Sequence, residues 1–169
     1  MIIKRIDRCD PSDIQEVLGI NDYLKEHILT YPRDVAVAVS KKFYPLLFQV
    51  IKQLINTDQD LQRKVNNLPD FTLYFDIQDQ KEICYSISSK DSSFDFSIDA
   101  ILGECANLTV CELKLRTLLE ILAGELDILD AYMDDKLKYT GNFMSNVRLL
   151  SLFELLDRKY RIKFFDFDF

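Results

Sequence analysis

Residues 118–156 read LLEILAGELDILDAYMDDKLKYTGNFMSNVRLLSLFELL, and their pattern decides the fold. They predict three short helices around one strand, with apolar residues on more sides of the helices than one packing partner needs. A helix laid on a sheet requires a single apolar stripe. In the last helix Phe143, Val147, Leu149, Leu150, Leu152, Phe153, Leu155 and Leu156 point almost all round the axis. That helix must cover a sheet on one side and meet something else apolar on another: a neighbouring helix, a second subunit or a bound lipid.

The local signals within this stretch are specific. Thr117 with Glu120 reads as a capping box that opens a helix, and Gly124 reads as its stop. Asp127 caps the next helix, which runs through Met133. Lys136, Leu137, Lys138 and Tyr139 form a strand, and Gly141 with Asn142 turns it into the final helix.

Upstream lies the rest of the sheet. Phe71, Leu73, Phe75 and Ile77 alternate with Thr72, Tyr74 and Asp76, and a turn at Asp79 and Gln80 follows. Ile83, Tyr85 and Ile87 then face inward against Glu82, Cys84 and Ser86. After a polar turn at residues 90–93, Phe94, Phe96, Ile98 and Ala100 alternate with Asp95, Ser97 and Asp99. Thr109, Cys111, Leu113 and Leu115 complete the inward face, against Glu112 and Lys114. Strict alternation over consecutive strands predicts an antiparallel sheet buried on one face, with the helices on that face.

Before the sheet, Pro45 opens a helix in which Leu46, Leu47, Val50, Ile51, Leu54 and Ile55 recur at helical spacing. Thr57 with Asp60 starts a further turn through Val65, and Leu68 with Pro69 ends it. Residues 1–42 read as a helical arm. In it Asp10 and Pro11 cap a helix that Gly19 stops, Asn21 caps a second reaching Leu29, and Tyr31 and Pro32 break the chain. Residues 35–39, VAVAV, suit either a strand or a helix, and their alanines favour the helix. Residues 158–169 form an aromatic tail packed on the main body, which spans residues 43–157.

At 169 residues the chain is long enough for one domain with a proper core. The formal charge of -7 excludes nucleic acid as a partner class, because phosphate binding needs clustered cations. It also limits membrane contact to transient encounters. Cys9, Cys84, Cys105 and Cys111 form no CxxC pair, and His27 alone cannot complete a metal set with them. Cys105 and Cys111 read as small buried apolar residues. Free thiols, no leader-like start and no apolar run of about 18 residues predict a cytoplasmic protein.

The search for chemistry is negative: the chain has no glycine-rich phosphate loop, no HExxH and no GxSxG. Asp134 and Asp135 are adjacent in a turn, whereas paired-carboxylate catalysis needs carboxylates converging across a cleft. Asp166 and Asp168 alternate with Phe165, Phe167 and Phe169 as in a solvated strand edge, and His27 reads as a surface or capping residue. What remains is apolar capacity. A Phe-rich sheet face under Leu-rich helices builds either a dry core, the ordinary outcome, or a ligand cavity.

The ordered elements resemble the sterol carrier protein-2 (SCP2) sterol-binding domain family over residues 44–156. The residues that carry the likeness are Gly124, Glu125, Leu126 and Asp127; Ala131, Tyr132 and Met133; and the run from Lys136 through Leu137, Lys138, Tyr139 and Thr140 to Gly141 and Asn142. Family members usually place glycine where this chain has Asp135. Aspartate is among the few other residues that accept a left-handed conformation, so Asp135 is predicted at positive φ. The C-terminus is not of the Ser-Lys-Leu peroxisomal type.

The resemblance implies an α+β fold: a five-stranded, mainly antiparallel sheet with helices covering one face, here with an N-terminal helical arm. It implies a non-enzymatic domain, without cofactor or metal, holding a sterol, fatty acyl chain or similar lipid in an apolar tunnel between sheet and helices. The expected lining is Phe94, Phe96, Leu113, Leu118, Leu122, Met133, Val147, Leu150 and Phe153, with entry between the final helix and the sheet. Other domains of that kind support an enzyme or assembly. The alternative is therefore a protein-interaction module with a filled core, including a homodimer.

Overall fold

Five strands pair into one sheet: β1 (Phe71–Ile77), β2 (Cys84–Lys90), β3 (Ser93–Ile98), β4 (Leu108–Leu113) and β5 (Leu137–Thr140). The computed structural model describes residues 1–98, 107–141 and 143–163, and of residues 143–147 the backbone alone. The strand order is β3-β2-β1-β4-β5. Three neighbouring pairs are antiparallel, but β1 and β4 run parallel. The sheet is mainly antiparallel, as the resemblance implies, but the wholly antiparallel pairing expected of the first four strands is corrected: β4 returns beside β1 rather than beside β3, and the sheet is mixed.

The register fulfils the alternation. Leu73 lies opposite Ile87 and Thr109, Phe75 opposite Tyr85 and Cys111, Ile87 opposite Phe96, and Leu113 opposite Leu137. Phe71, Leu73, Phe75, Ile77, Tyr85, Ile87, Phe94, Cys111, Leu113 and Leu137 are all buried. On the other face Thr72, Tyr74, Asp76 and Glu112 are partly exposed, and Asp95, Ser97 and Lys138 are open to solvent. Because side chains alternate strictly along a strand, a one-residue slip would reverse this whole set. The β2–β3 hairpin turns through Asp91 and Ser92, both at positive φ, the backbone that matches the twist of a two-residue hairpin. Ala100 lies outside the described residues.

The helices are α1 (Ile2–Asp7), α2 (Ile14–His27), α3 (Arg33–Thr57), α4 (Gln59–Asn66), α5 (Leu115–Leu122), α6 (Ile128–Met133) and α7 (Phe143–Tyr160). Several boundaries differ from the sequence signals. Asp13, not Asp10, caps α2 by accepting from the Glu16 N–H at 3.1 Å. Gly19 lies inside α2, which continues through Asn21 instead of restarting there. Pro45 lies inside the 25-residue α3 and deprives the Lys41 carbonyl of its helical partner. Lys41 is exposed, so that carbonyl can face water while Phe43, Tyr44, Leu47 and Phe48 hold both sides of the proline in the core. The position taken as the arm's end, residue 42, therefore falls within a continuous helix.

Both capping boxes also move. Asp58, rather than Thr57, caps α4, and α5 begins at Leu115, two residues before Thr117. Thr117 is buried within α5, and the Leu115 N–H is held instead by Asp79 Oδ1 at 2.9 Å. Asp79 also binds Arg33 at 3.1 Å, which ties the start of α3 to the start of α5.

The helix ends in the deciding stretch agree with their reading. Gly124, at φ 76°, ends α5, with the Glu125 N–H donating to the Glu120 carbonyl at 2.9 Å. Asp127 caps α6 through the Leu129 N–H at 2.6 Å. Asp135 stands at φ 57°, flanked by bonds from its own N–H to the Tyr132 carbonyl (3.2 Å) and from the Lys136 N–H to the Ala131 carbonyl (2.8 Å). This is a Schellman ending with aspartate in the glycine place.

The arm joins the same core through Ile6, Val17, Ile20, Leu24 and Ile28. Its polar side chains reach the end of α7: Lys25 Nζ donates to the Arg161 carbonyl at 2.8 Å and Asn21 Nδ2 at 3.4 Å. Arg161 sits at φ 57°, so this backbone needs such support. Of the aromatic tail, Ile162 is buried, and residues 164–169 lie outside the described residues.

Asp58 joins α4 to α7. It accepts the Tyr160 hydroxyl at 2.7 Å, Lys159 Nζ at 3.0 Å and the N–H groups of Asp60 and Leu61. The Tyr160 hydroxyl first, and then Lys159 and the two amides, lower its pKa from 3.8 to about 2. The folded-state value lies below the unfolded one. These contacts therefore stabilise the fold fully above about pH 4 and are lost as pH falls through about 2. Thermal melts should show Tyr160→Phe less stable than wild type at about pH 5, with the gap closing towards about pH 2. A gap independent of pH would remove Asp58 from the acid response.

Candidate functional site

Among the described residues, the sheet and two helices enclose an apolar cavity. Tyr44 and Phe48 line it from α3, Phe75, Tyr85, Ile87 and Phe96 from β1, β2 and β3, and Leu118 and Leu122 from α5. Position follows from period. Tyr44 and Phe48 are four apart on one helical face, as are Leu118 and Leu122, while Tyr85 and Ile87 are two apart on one sheet face. No polar side-chain surface lines the space. The Tyr85 hydroxyl is taken up by the Ser40 carbonyl at 2.9 Å, and burial pushes the Tyr44 phenol well above its usual range.

The rings interlock. Phe48 stacks on Phe96 with centroids 3.9 Å apart and meets Tyr85 edge-on at 5.6 Å. Phe94 meets Phe96 edge-on at 5.3 Å. The room left for the centre of a water-sized sphere is ≈ 20 Å³, about enough for one water, and an apolar space of that size stays dry. Phe96 is only half-buried, on edge strand β3. Lys52 of α3 reaches Asp95 of β3 at 2.8 Å across that side.

Of the expected lining, Phe96, Leu118 and Leu122 meet at this cavity. Phe94 is buried one rung further along β3, opposite Ser89, and Leu113 is buried between Ile77 and Leu137. Phe153 is buried and Leu150 half-buried on α7, and none of the described α7 residues lines the cavity. Val147 lies outside the residues whose side chains are described. Met133 is a correction: it is 72% exposed at the end of α6, where the chain turns away into β5. Among the described side chains of α7, Leu149, Leu152, Leu155 and Leu156 are buried in the common core. The space described lies between α3, α5 and the sheet, and the expected entry beneath α7 involves Phe143 and Val147, whose side chains lie outside the described residues.

Tyr44 and Phe48 are the wall that the sequence reading missed. Their signal was present as an i, i+4 aromatic pair beside Phe43 and Leu47, but apolar residues on several sides of α3 hid which face meets the sheet.

The other polar groups have structural surroundings. His27 stacks on Tyr23 at 4.1 Å and its Nδ1 lies 2.8 Å from the Tyr23 carbonyl. Burial pushes the Cys111 thiol up to about 12, and burial followed by Glu16 and Asp13 raises that of Cys9. Cys105 lies outside the described residues. Among the described residues no group of three or more His, Cys, Asp or Glu could hold a metal ion, and no helix is long and apolar enough to cross a membrane. Among the described residues Ser89 Oγ is buried without a hydrogen-bond partner.

No family model matches the chain, and no curated protein matches it. Among solved structures it is similar to the stereoselective inverting sec-alkylsulfatase Pisa1 from Pseudomonas sp., at 20% identity and a TM-score of 0.44, over 65% of this chain. The chain spans 16% of that enzyme's length. It is similar to the ubiquinone synthesis protein UbiJ-SCP2 at 16% identity and a TM-score of 0.46, over 67% of this chain and 97% of that one. A conserved hypothetical protein of Thermus thermophilus, described as a candidate sterol carrier protein, is similar at 18% identity and a TM-score of 0.43, over 63% of this chain and 78% of that one.

Proposed function

We propose that this SCP2-like α+β chain is a lipid-binding domain, a non-enzymatic cytoplasmic carrier that takes an acyl chain or similar apolar ligand between α3, α5 and the sheet. The observation that carries the reading is the wholly apolar, aromatic-walled cavity. Burying an acyl chain there contributes roughly 25 cal/mol per Å² of apolar surface removed from water. A chain cannot enter ≈ 20 Å³ as it stands, so binding parts the walls. The edge strand is the side that yields: Phe96 is half-exposed, and the exposed Lys52–Asp95 pair that spans it is of a kind contributing little.

A fluorescent fatty acid should bind with a Kd in the micromolar range, about -8 kcal/mol net of the cost of association. Leu118→Trp should fill the space and abolish that binding, whereas His27→Ala should leave it unchanged. Absence of binding to fatty acid and sterol probes alike by a well-folded wild-type chain would overturn the carrier reading.

A further inference from the structure

Helix α6 buries Ala131, packs Ile128 partly against the core and leaves its other apolar side chains outside. Leu129, Tyr132 and Met133 are 54%, 53% and 72% exposed, and their i, i+3, i+4 spacing puts them on one face. Only Met1 and Tyr23 are similarly exposed among the large apolar side chains of the described residues. Single exposed apolar residues are ordinary, but three on one helical turn form a contiguous docking feature.

The surroundings say what would cover it. Glu125, Asp130, Asp134 and Asp135 are exposed around this face and Asp127 is half-buried at its start. None of the five is in an ion pair among the described residues. Five carboxylates against the single Lys136 leave residues 125–136 at -4, more than half of the chain's -7.

We propose that α6 docks a basic amphipathic helix of a partner protein, whose apolar stripe lies on Leu129, Tyr132 and Met133 while its Lys and Arg side chains meet the surrounding carboxylates. Charge decides against the other occupants. A second copy would set -4 against -4, an anionic membrane repels the same rim, and residues 164–169 would bring Asp166 and Asp168 into it. Size points the same way. Three side chains on one turn suit a single helix read at i, i+3 and i+4, not the roughly 800 Å² per side of a stable subunit interface.

The probe is a labelled 18-residue peptide of leucine and lysine at helical spacing, titrated with the full chain and followed by fluorescence anisotropy at low and moderate salt. Leu129→Ser with Met133→Ser should weaken binding by about tenfold or more, and Asp130→Asn with Asp134→Asn by severalfold at low salt, with a flatter salt dependence. Both double variants change exposed side chains and should melt within a few degrees of wild type. Glu26→Gln with Asp34→Asn, which removes the same charge from elsewhere, should leave affinity unchanged.

Three results overturn the proposal. One is no binding, or binding that the α6 variants leave intact. Another is equal weakening by the Glu26 and Asp34 variant, which marks diffuse attraction. The third is a wild-type dimer in sedimentation that Leu129→Ser with Met133→Ser dissolves, which assigns the face to a second copy.

Discussion

Gly141→Ala is expected to lower the stability of the folded chain by about 2–4 kcal/mol, combining left-handed strain with overpacking. Gly141 follows β5 at φ 135°. A Cβ there would lie 2.7 Å from the Leu108 carbonyl oxygen and 2.8 Å from Thr109 Cα. Backbone atoms at the start of β4 cannot swing aside as a side-chain tip can, so the strands must separate or the turn must shift. Gly19 is the internal control, because nothing lies within 4 Å of the Cβ position there and the residue is inside α2. Gly19→Ala should therefore stabilise by about 0.5–1 kcal/mol. Urea titrations of the two variants should move the midpoint in opposite directions. Equal shifts would mean that Gly141 is not in the close approach described.

Phe48→Ala should cost about 3–5 kcal/mol, the usual range for truncating a buried phenylalanine. Phe48 is the centre of the ring cluster, stacked on Phe96 and Tyr44 and edge-on to Tyr85, so its loss leaves a hole that its neighbours cannot all close. The hole opens into a space with no polar lining and should stay dry. Benzene should therefore raise the melting temperature of Phe48→Ala more than that of wild type, whose walls must part to admit it. A loss below about 1 kcal/mol, or no rescue by benzene, would show that the rings repack and that the walls move more easily than their contacts imply.

Signals confined to a few residues were legible in the sequence. The alternation of Phe71, Leu73, Phe75 and Ile77 names the buried face, because a period of two admits one assignment once a face is apolar. Asp127, Gly124 and Asp135 mark helix ends because each satisfies or permits a single local backbone geometry. Signals that depend on a distant partner were not legible. The parallel pairing of β1 with β4 is a choice of neighbour, and alternation says nothing about neighbours. Thr117 and Glu120 have the spacing of a capping box, yet Thr117 is buried and the start of α5 is set by Asp79, 36 residues away. Pro45 breaks an isolated helix, but burial of Phe43 and Tyr44 on one side and Leu47 and Phe48 on the other keeps α3 continuous. The site was half legible for the same reason. Phe96, Leu118 and Leu122 belong to elements with one apolar side, whereas α3 and α7 are apolar on several, and only packing shows which side meets the sheet.

The bond from Asn21 to the Arg161 carbonyl closes a separation of 140 residues. On a ribosome adding about 5–20 residues per second, α2 is made roughly 7–28 s before that acceptor exists. For that interval α2 has α3 to pack on but lacks its tie to the end of α7. A segment made early is thus tied late, and the interval before Arg161 appears is when a nascent-chain binder would find Asn21 and Lys25 without their acceptor.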